Sequence, residues 1–138
     1  MDDAKLVRES VDGEFGLTAQ FAEGILADGW WAEGSPHYHY YMLSAALTAA
    51  LAVRQHRPDF LRTPGLRDML ATPLSMMRAD YSLPVLNDGW NSMTLPLGVG
   101  EHAAHYEQGY GLWQDERFPP TSSQTSTAAA STGPPRRR

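Results

Sequence analysis

The run from Ser35-Pro36 to Gln55 does most to decide what this chain can fold into. It carries Tyr38, Tyr41, Met42, Ala45, Leu47, Ala49, Leu51, Ala52 and Val53 and contains no glycine. Alanine heads the helix-propensity scale, so a long helix is predicted over residues 36–55. Ser35 stands where a hydroxyl can cap the first turn, and Pro36 suits the first helical position because its missing N–H would be unpaired there anyway. Pro58 marks the end. The many alanines allow neighbouring helices to approach closely, as in a helix packed on more than one side.

The flanking segments are also helical in spacing. Residues 4 to 26 place Leu6, Val7, Val11, Phe15, Leu17, Phe21, Ile25 and Leu26 closer to a helical than to an alternating period. Gly13 and Gly16 each cost about 1 kcal/mol relative to alanine inside a helix, so two shorter helices broken between Asp12 and Gly16 are the alternative. Leu66, Met69, Leu70, Leu74 and Met77 predict a further helix that Pro73 bends or interrupts. Pro84, Asn87-Asp88-Gly89, Pro96, Gly98 and Gly100 make residues 80–100 a loop. Glu101 to Trp113 predict a short helix with Ala104, His105, Gln108 and Leu112 along one stripe. Beyond Phe118 only Pro, Ser, Thr, Ala, Gly, Gln and three terminal arginines follow, a composition that cannot form a core. Expected, then, is an all-α domain over residues 1–118 and a disordered low-complexity tail over 119–138.

Charge and composition narrow the function. The net charge is -5, and the tail holds three arginines and no acid, so residues 1–118 carry -5 minus 3, or -8. Nucleic acid is therefore not an expected partner. Without cysteine there is no disulfide framework and no thiolate chemistry. There is no apolar run of about 18 residues, hence no expected membrane span. The start, Met1-Asp2-Asp3-Ala4-Lys5, lacks a signal-peptide pattern, and as written the chain reads as cytoplasmic.

Chemistry concentrates in Asp28-Gly29-Trp30-Trp31-Ala32-Glu33-Gly34-Ser35-Pro36-His37-Tyr38-His39-Tyr40-Tyr41. Asp28-Gly29-Trp30 recurs as Asp88-Gly89-Trp90, and two helical hairpins would bring both loops to the same end. Tyr38 and Tyr41 are three residues apart and share a helix face, whereas Tyr40 points elsewhere. Two phenols on one cleft suit β-elimination from a uronic acid unit. A base takes the C5 proton, charge spreads into the carboxylate, and an acid protonates the departing C4 oxygen. The enolate-like state then needs a neutralising partner. Trp30, Trp31 and Trp90 offer flat faces on which sugar rings can stack, though tryptophans more often serve as core anchors. Glu33 can face substrate hydroxyls or hold the Gly34 turn, and His39 can orient a substrate or serve the interior. His37-x-His39 and His102-x-x-His105 could supply four imidazoles, but nothing brings the pairs together, so no metal and no cofactor is expected.

The first of these motifs, from Asp28 to Tyr41, resembles a signature segment of heparinase II/III-type polysaccharide lyases and of alginate and oligoalginate lyases. Leu83-Pro84-x-Leu86-Asn87-Asp88-Gly89 and Tyr106-Glu107-x-x-Tyr110 resemble the next part of the same helical domain. The resemblance covers residues 4 to 118. It implies an incomplete α/α toroid of antiparallel helical hairpins around a cleft, followed in complete enzymes by a β-rich domain. It also implies a catalytic tyrosine at Tyr38, with Tyr41 the close alternative. Trp30, Trp31, Glu33, His39, Asn87 and Trp90 would bind an acidic polysaccharide of heparan sulfate or alginate type. The family's carboxylate-neutralising Asn/His motif lies upstream of the stretch represented here, and its later histidine lies in the β-rich domain. The expectation is a fragment inactive alone, prone to self-association through exposed apolar helix faces. The alternatives are a non-catalytic carbohydrate-binding or scaffold module and a small zinc-binding helical protein.

Overall fold

Glycine divides the N-terminal apolar stretch. In the computed structural model, which describes residues 3–89 and 102–118, helix α1 spans Asp3–Asp12 and α2 spans Leu17–Gly24. Between them the chain turns, with the Gly13 amide donating to Glu9 O at 3.0 Å and the Gly16 amide to Gly13 O at 2.8 Å. The broken form of this segment is the one adopted.

Helix α3 spans Pro36–Val53, with Pro36 at its start as its ring geometry favours. Ser35 occupies the N-cap with extended backbone angles, but its hydroxyl makes no capping bond. The cap expected of Ser35 is thus absent. The hydroxyl lies buried beside Gly89, and its backbone carbonyl accepts the first helical bond from the His39 amide at 2.8 Å. Pro36, His39, Tyr40, Leu43, Ala46, Leu47 and Ala50 form the inward stripe of α3. Tyr41, Ser44, Ala45, Thr48 and Ala52 are exposed, so among the described residues α3 is packed on one side rather than on several.

A 3-10 helix, Pro58–Arg62, follows α3 and delivers Phe60 to the interior. Helix α4, Asp68–Met76, is shorter than its apolar spacing suggested, because Leu66 is buried in the turn ahead of it. Pro73 lies inside α4 and is buried. Helix α5 spans Ala103–Trp113 and ends where Gln114 takes a left-handed φ of 51°. The stripe expected on α5 is corrected: Ala104 and Gln108 are exposed, and Tyr106 and Gly109 face the core. Burying the large tyrosine ring removes more apolar area than burying Ala104 would. Gly109 permits the approach, since a Cβ there would run into Leu70. The described residues contain no strand, and an isolated antiparallel bridge joins Ile25 and Trp31.

Helix α3 passes through two clusters. Tyr40, Leu43 and Leu47 join Met69, Leu70, Leu83, Tyr106 and Phe118 in one, and Ala46 and Ala50 join Val11, Phe21, Phe60 and Leu66 in the other. The segment after α5 is held by Asp115, whose carboxylate meets Arg67 and Arg117, each at 2.7 Å. The two guanidiniums hold this carboxyl well below the usual carboxylate range. Residues 119–138, expected as a tail, lie outside the described residues.

One polar contact sits inside the first cluster: the Tyr40 and Tyr106 hydroxyls are 2.7 Å apart. Tyr40→Phe leaves the Tyr106 hydroxyl buried without its partner and is expected to cost about 1–3 kcal/mol. Tyr40→Phe combined with Tyr106→Phe removes both ends of the bond and should recover part of that loss. Urea denaturation of the two variants checks the sign.

Candidate functional site

Two Asp-Gly loops meet at the start of α3. In the first, Asp28 Oδ1 accepts the Trp30 amide at 3.1 Å, Gly29 takes a φ of 85°, and the Thr72 hydroxyl donates to the Asp28 carbonyl. A Cβ on Gly29 would press against the backbone of Asp68, so the turn seats on the start of α4 only with glycine there. The returning chain pairs with the end of α2, the Leu26 amide donating to Trp30 O and the Ala32 amide to Gly24 O, both at 2.8 Å.

Trp31 then joins three structures. Its amide donates to His39 Nδ1 at 3.1 Å, its indole N–H to Glu33 Oε2 at 3.2 Å, and its ring packs over Gly24 and against the first core cluster. Gly34, at φ 69°, turns the chain toward α3. From the second loop, Asn87 Nδ2 donates to the Glu33 carbonyl at 3.2 Å and to the Gly34 carbonyl at 3.1 Å. The two loops therefore touch directly.

His39 owes its place to a proline. Pro73 has no N–H to offer the carbonyl four residues earlier, which is that of Met69. His39 Nε2 lies 2.8 Å from that carbonyl and donates to it, which fixes the neutral tautomer and leaves Nδ1 to accept the Trp31 amide. His39 is 0% exposed, and burial lowers its pKa from the ordinary 6.5 to about 4, against the Met69 bond and the Asp28 charge, which both raise it. With both nitrogens occupied inside the protein, the ring supports the loop rather than facing a ligand.

The contact of the loops leaves a cleft of about 430 Å³ lined by Glu33, Tyr38, Asn87 and Asp88. Tyr38 is half-buried, with its ring edge-on to His37 at 5.4 Å. Tyr41, one turn on, is 71% exposed and does not line the cleft. Tyr40 is 2% exposed, and burial first, then Tyr106, pushes its phenol far above the ordinary value. Burial likewise pushes Tyr106 up to about 12, its bond with Tyr40 acting the other way. Neither can exchange protons near neutrality. Trp30 is half-buried with its ring 4.6 Å from that of His39, and Trp90 lies outside the described residues. The His102 ring lies tilted against that of Tyr40 at 4.3 Å and the His105 ring stacks with it at 6.2 Å, on the core side of α3. Among the described residues no three His, Cys, Asp or Glu side chains are grouped to hold a metal ion.

The structure thus brings Glu33, Tyr38 and Asn87 together and adds Asp88, which sequence reasoning missed as a lining group. Its signal was available in the repeated Asp-Gly-Trp. Comparison with known proteins adds one finding: the family model described as Heparinase II/III N-terminus matches residues 11–106, which takes in both Asp-Gly loops and all of α3. No curated protein and no solved structure matches the chain significantly.

Proposed function

This chain belongs to the heparinase II/III N-terminus family, and from that premise we propose that it is a saccharide-facing helical part of a polysaccharide lyase. Its substrate class is the uronic acid-containing polysaccharides, of heparan sulfate or alginate type, and its helices are a portion of an α/α toroid. One observation supports the reading above others. Among the described residues Tyr38 is the one phenol lining the cleft where the two loops meet, with the carboxylates of Glu33 and Asp88 and the amide of Asn87 around it.

In β-elimination a base takes the C5 proton, the C4–C5 double bond forms as the C4–O bond breaks, and Tyr38 would give its proton to the departing C4 oxygen. Tyr41 is set aside because it is exposed outside the cleft, and His39 because its nitrogens are engaged internally. Glu33 and Asp88 can accept hydrogen bonds from sugar hydroxyls. They cannot neutralise a substrate carboxylate, and no cation is among the described lining residues. Among the described residues the charged intermediate therefore has no cationic partner in this cleft, so the chain alone should bind far better than it turns over. The same pair of carboxylates favours a second reading, a non-catalytic module that holds sugar hydroxyls.

Calorimetry and ultraviolet absorbance of the unsaturated product separate these. With alginate, heparan sulfate and hyaluronan oligosaccharides the expected result is binding to at least one, with little product. Equal affinity for neutral glucans favours the module, and no binding to any uronate overturns the lyase reading. Robust turnover that persists in Tyr38→Phe/Tyr41→Phe refutes the assignment of the phenol.

A further inference from the structure

We infer that Asn87 is a positioning residue: its side-chain amide clamps the second Asp-Gly loop to the first and thereby holds the cleft open at the height of Tyr38. The functional part of this statement rests on the saccharide reading above, while the clamp itself does not.

The clamp is built from both sides. Asn87 has a φ of 48°, in the left-handed region that asparagine tolerates better than most residues. From there Nδ2 reaches two consecutive carbonyls, those of Glu33 and Gly34. An NH2 group has two protons, and both are committed. They are not left for a sugar. Gly34 answers with its own positive φ, and a Cβ at that position would lie 2.6 Å from Asn87 Nδ2. Next to it, Gly89 passes over the buried Ser35 hydroxyl, where a side chain would press at 3.4 Å. Glu33 is then tied twice, at its carbonyl by Asn87 and at its carboxylate by the Trp31 indole. Tyr38 follows within the first turn of α3, so the rim it faces is set by these bonds rather than by its own helix.

Two variants of the 138-residue chain test this. Asn87→Gly keeps the left-handed backbone accessible and removes the amide. Asn87→Asp keeps the size and turns the donors into acceptors that face two carbonyls. For each, amide hydrogen exchange and thermal unfolding are measured without ligand, and affinity is measured with an alginate oligosaccharide. The Gly34 amide, bonded to Trp31 O at 3.0 Å, reports the rim. Expected are about tenfold faster exchange at Gly34, a Tm close to that of the parent, and affinity lowered about tenfold. Unchanged exchange at Gly34 with lost affinity would overturn the inference, because Asn87 would then be touching the sugar itself. A large fall in Tm with faster exchange throughout α3 would overturn it too, in favour of general support of the fold. If the parent chain binds no uronate yet Gly34 exchange accelerates, the clamp stands and the saccharide reading falls.

Discussion

Acidification from about pH 7 to pH 4 is expected to remove about 3 kcal/mol of stability through His39 alone. The pKa of the folded state lies near 4 and that of the unfolded chain near 6.5, so between these values the unfolded chain binds the proton and the folded one does not. Stability from this group is complete above 6.5, falls as the pH drops, and reaches its floor near 4. Asp59, Asp80 and Asp115 also stabilise less as they protonate, but their pKa values are lowered below 3.8, so their losses begin where the His39 effect ends. Urea unfolding across the pH range should therefore show two separate slopes. His39→Gln should lower stability at pH 7 and flatten the upper slope. An imidazole resonance of His39 titrating near 6.5 would sink the prediction directly, without reliance on the variant's folding.

The same proton reaches the cleft by a short path. Protonated His39 carries a hydrogen on Nδ1, facing the hydrogen on the Trp31 amide, and the bond at 3.1 Å becomes a collision of donors. The Met69 bond survives, because Nε2 is already the donor there. Acid thus releases the Trp31–Gly34 rim while leaving α3 attached to α4, and any saccharide affinity of the folded chain should fall as the pH drops through about 4, where folded His39 takes up its proton.

What the sequence disclosed and what it hid divide along one physical line. The start of α3, the break at Gly13–Gly16 and the turn at Asp28-Gly29 all depend on local backbone chemistry, and all were legible. The uses of side chains were not. Tyr40 is a core residue because Tyr106, sixty-six residues later, meets its hydroxyl. His39 is structural because Pro73 frees the Met69 carbonyl, a relation no spacing within residues 28–41 contains. Asn87, grouped with sugar-binding residues on resemblance, is occupied by two main-chain carbonyls across fifty-three and fifty-four residues of sequence. The face of α3 was hidden for another reason. Alanine is apolar enough to look buried on every side, so only the larger residues, Tyr40, Leu43 and Leu47, reveal the inward stripe.

Trp31 offers the sharpest separation between a sugar platform and a core anchor, because the two roles predict opposite effects on stability. Its ring closes over Gly24 and leans on the first core cluster, so Trp31→Ala is expected to cost about 3 kcal/mol, the lower part of the range for a large aromatic because the ring is only half-buried. Trp31→Phe keeps most of the packing but loses the indole bond to Glu33 at 3.2 Å, and should cost about 1 kcal/mol. An exposed platform would instead leave stability within about 0.5 kcal/mol in either variant while abolishing saccharide affinity. Gly24 supplies the decisive cross-check. A Cβ there collides with the Trp31 ring, so Gly24→Ala should destabilise the parent by about 1–3 kcal/mol through overpacking. In a Trp31→Ala background that same methyl has room. The double variant should then be more stable than the sum of the single losses predicts, by about 1 kcal/mol or more. Strict additivity of the two losses would mean that the ring does not rest on Gly24, and with that contact would go the ordered approach of Trp31 to both His39 and Glu33.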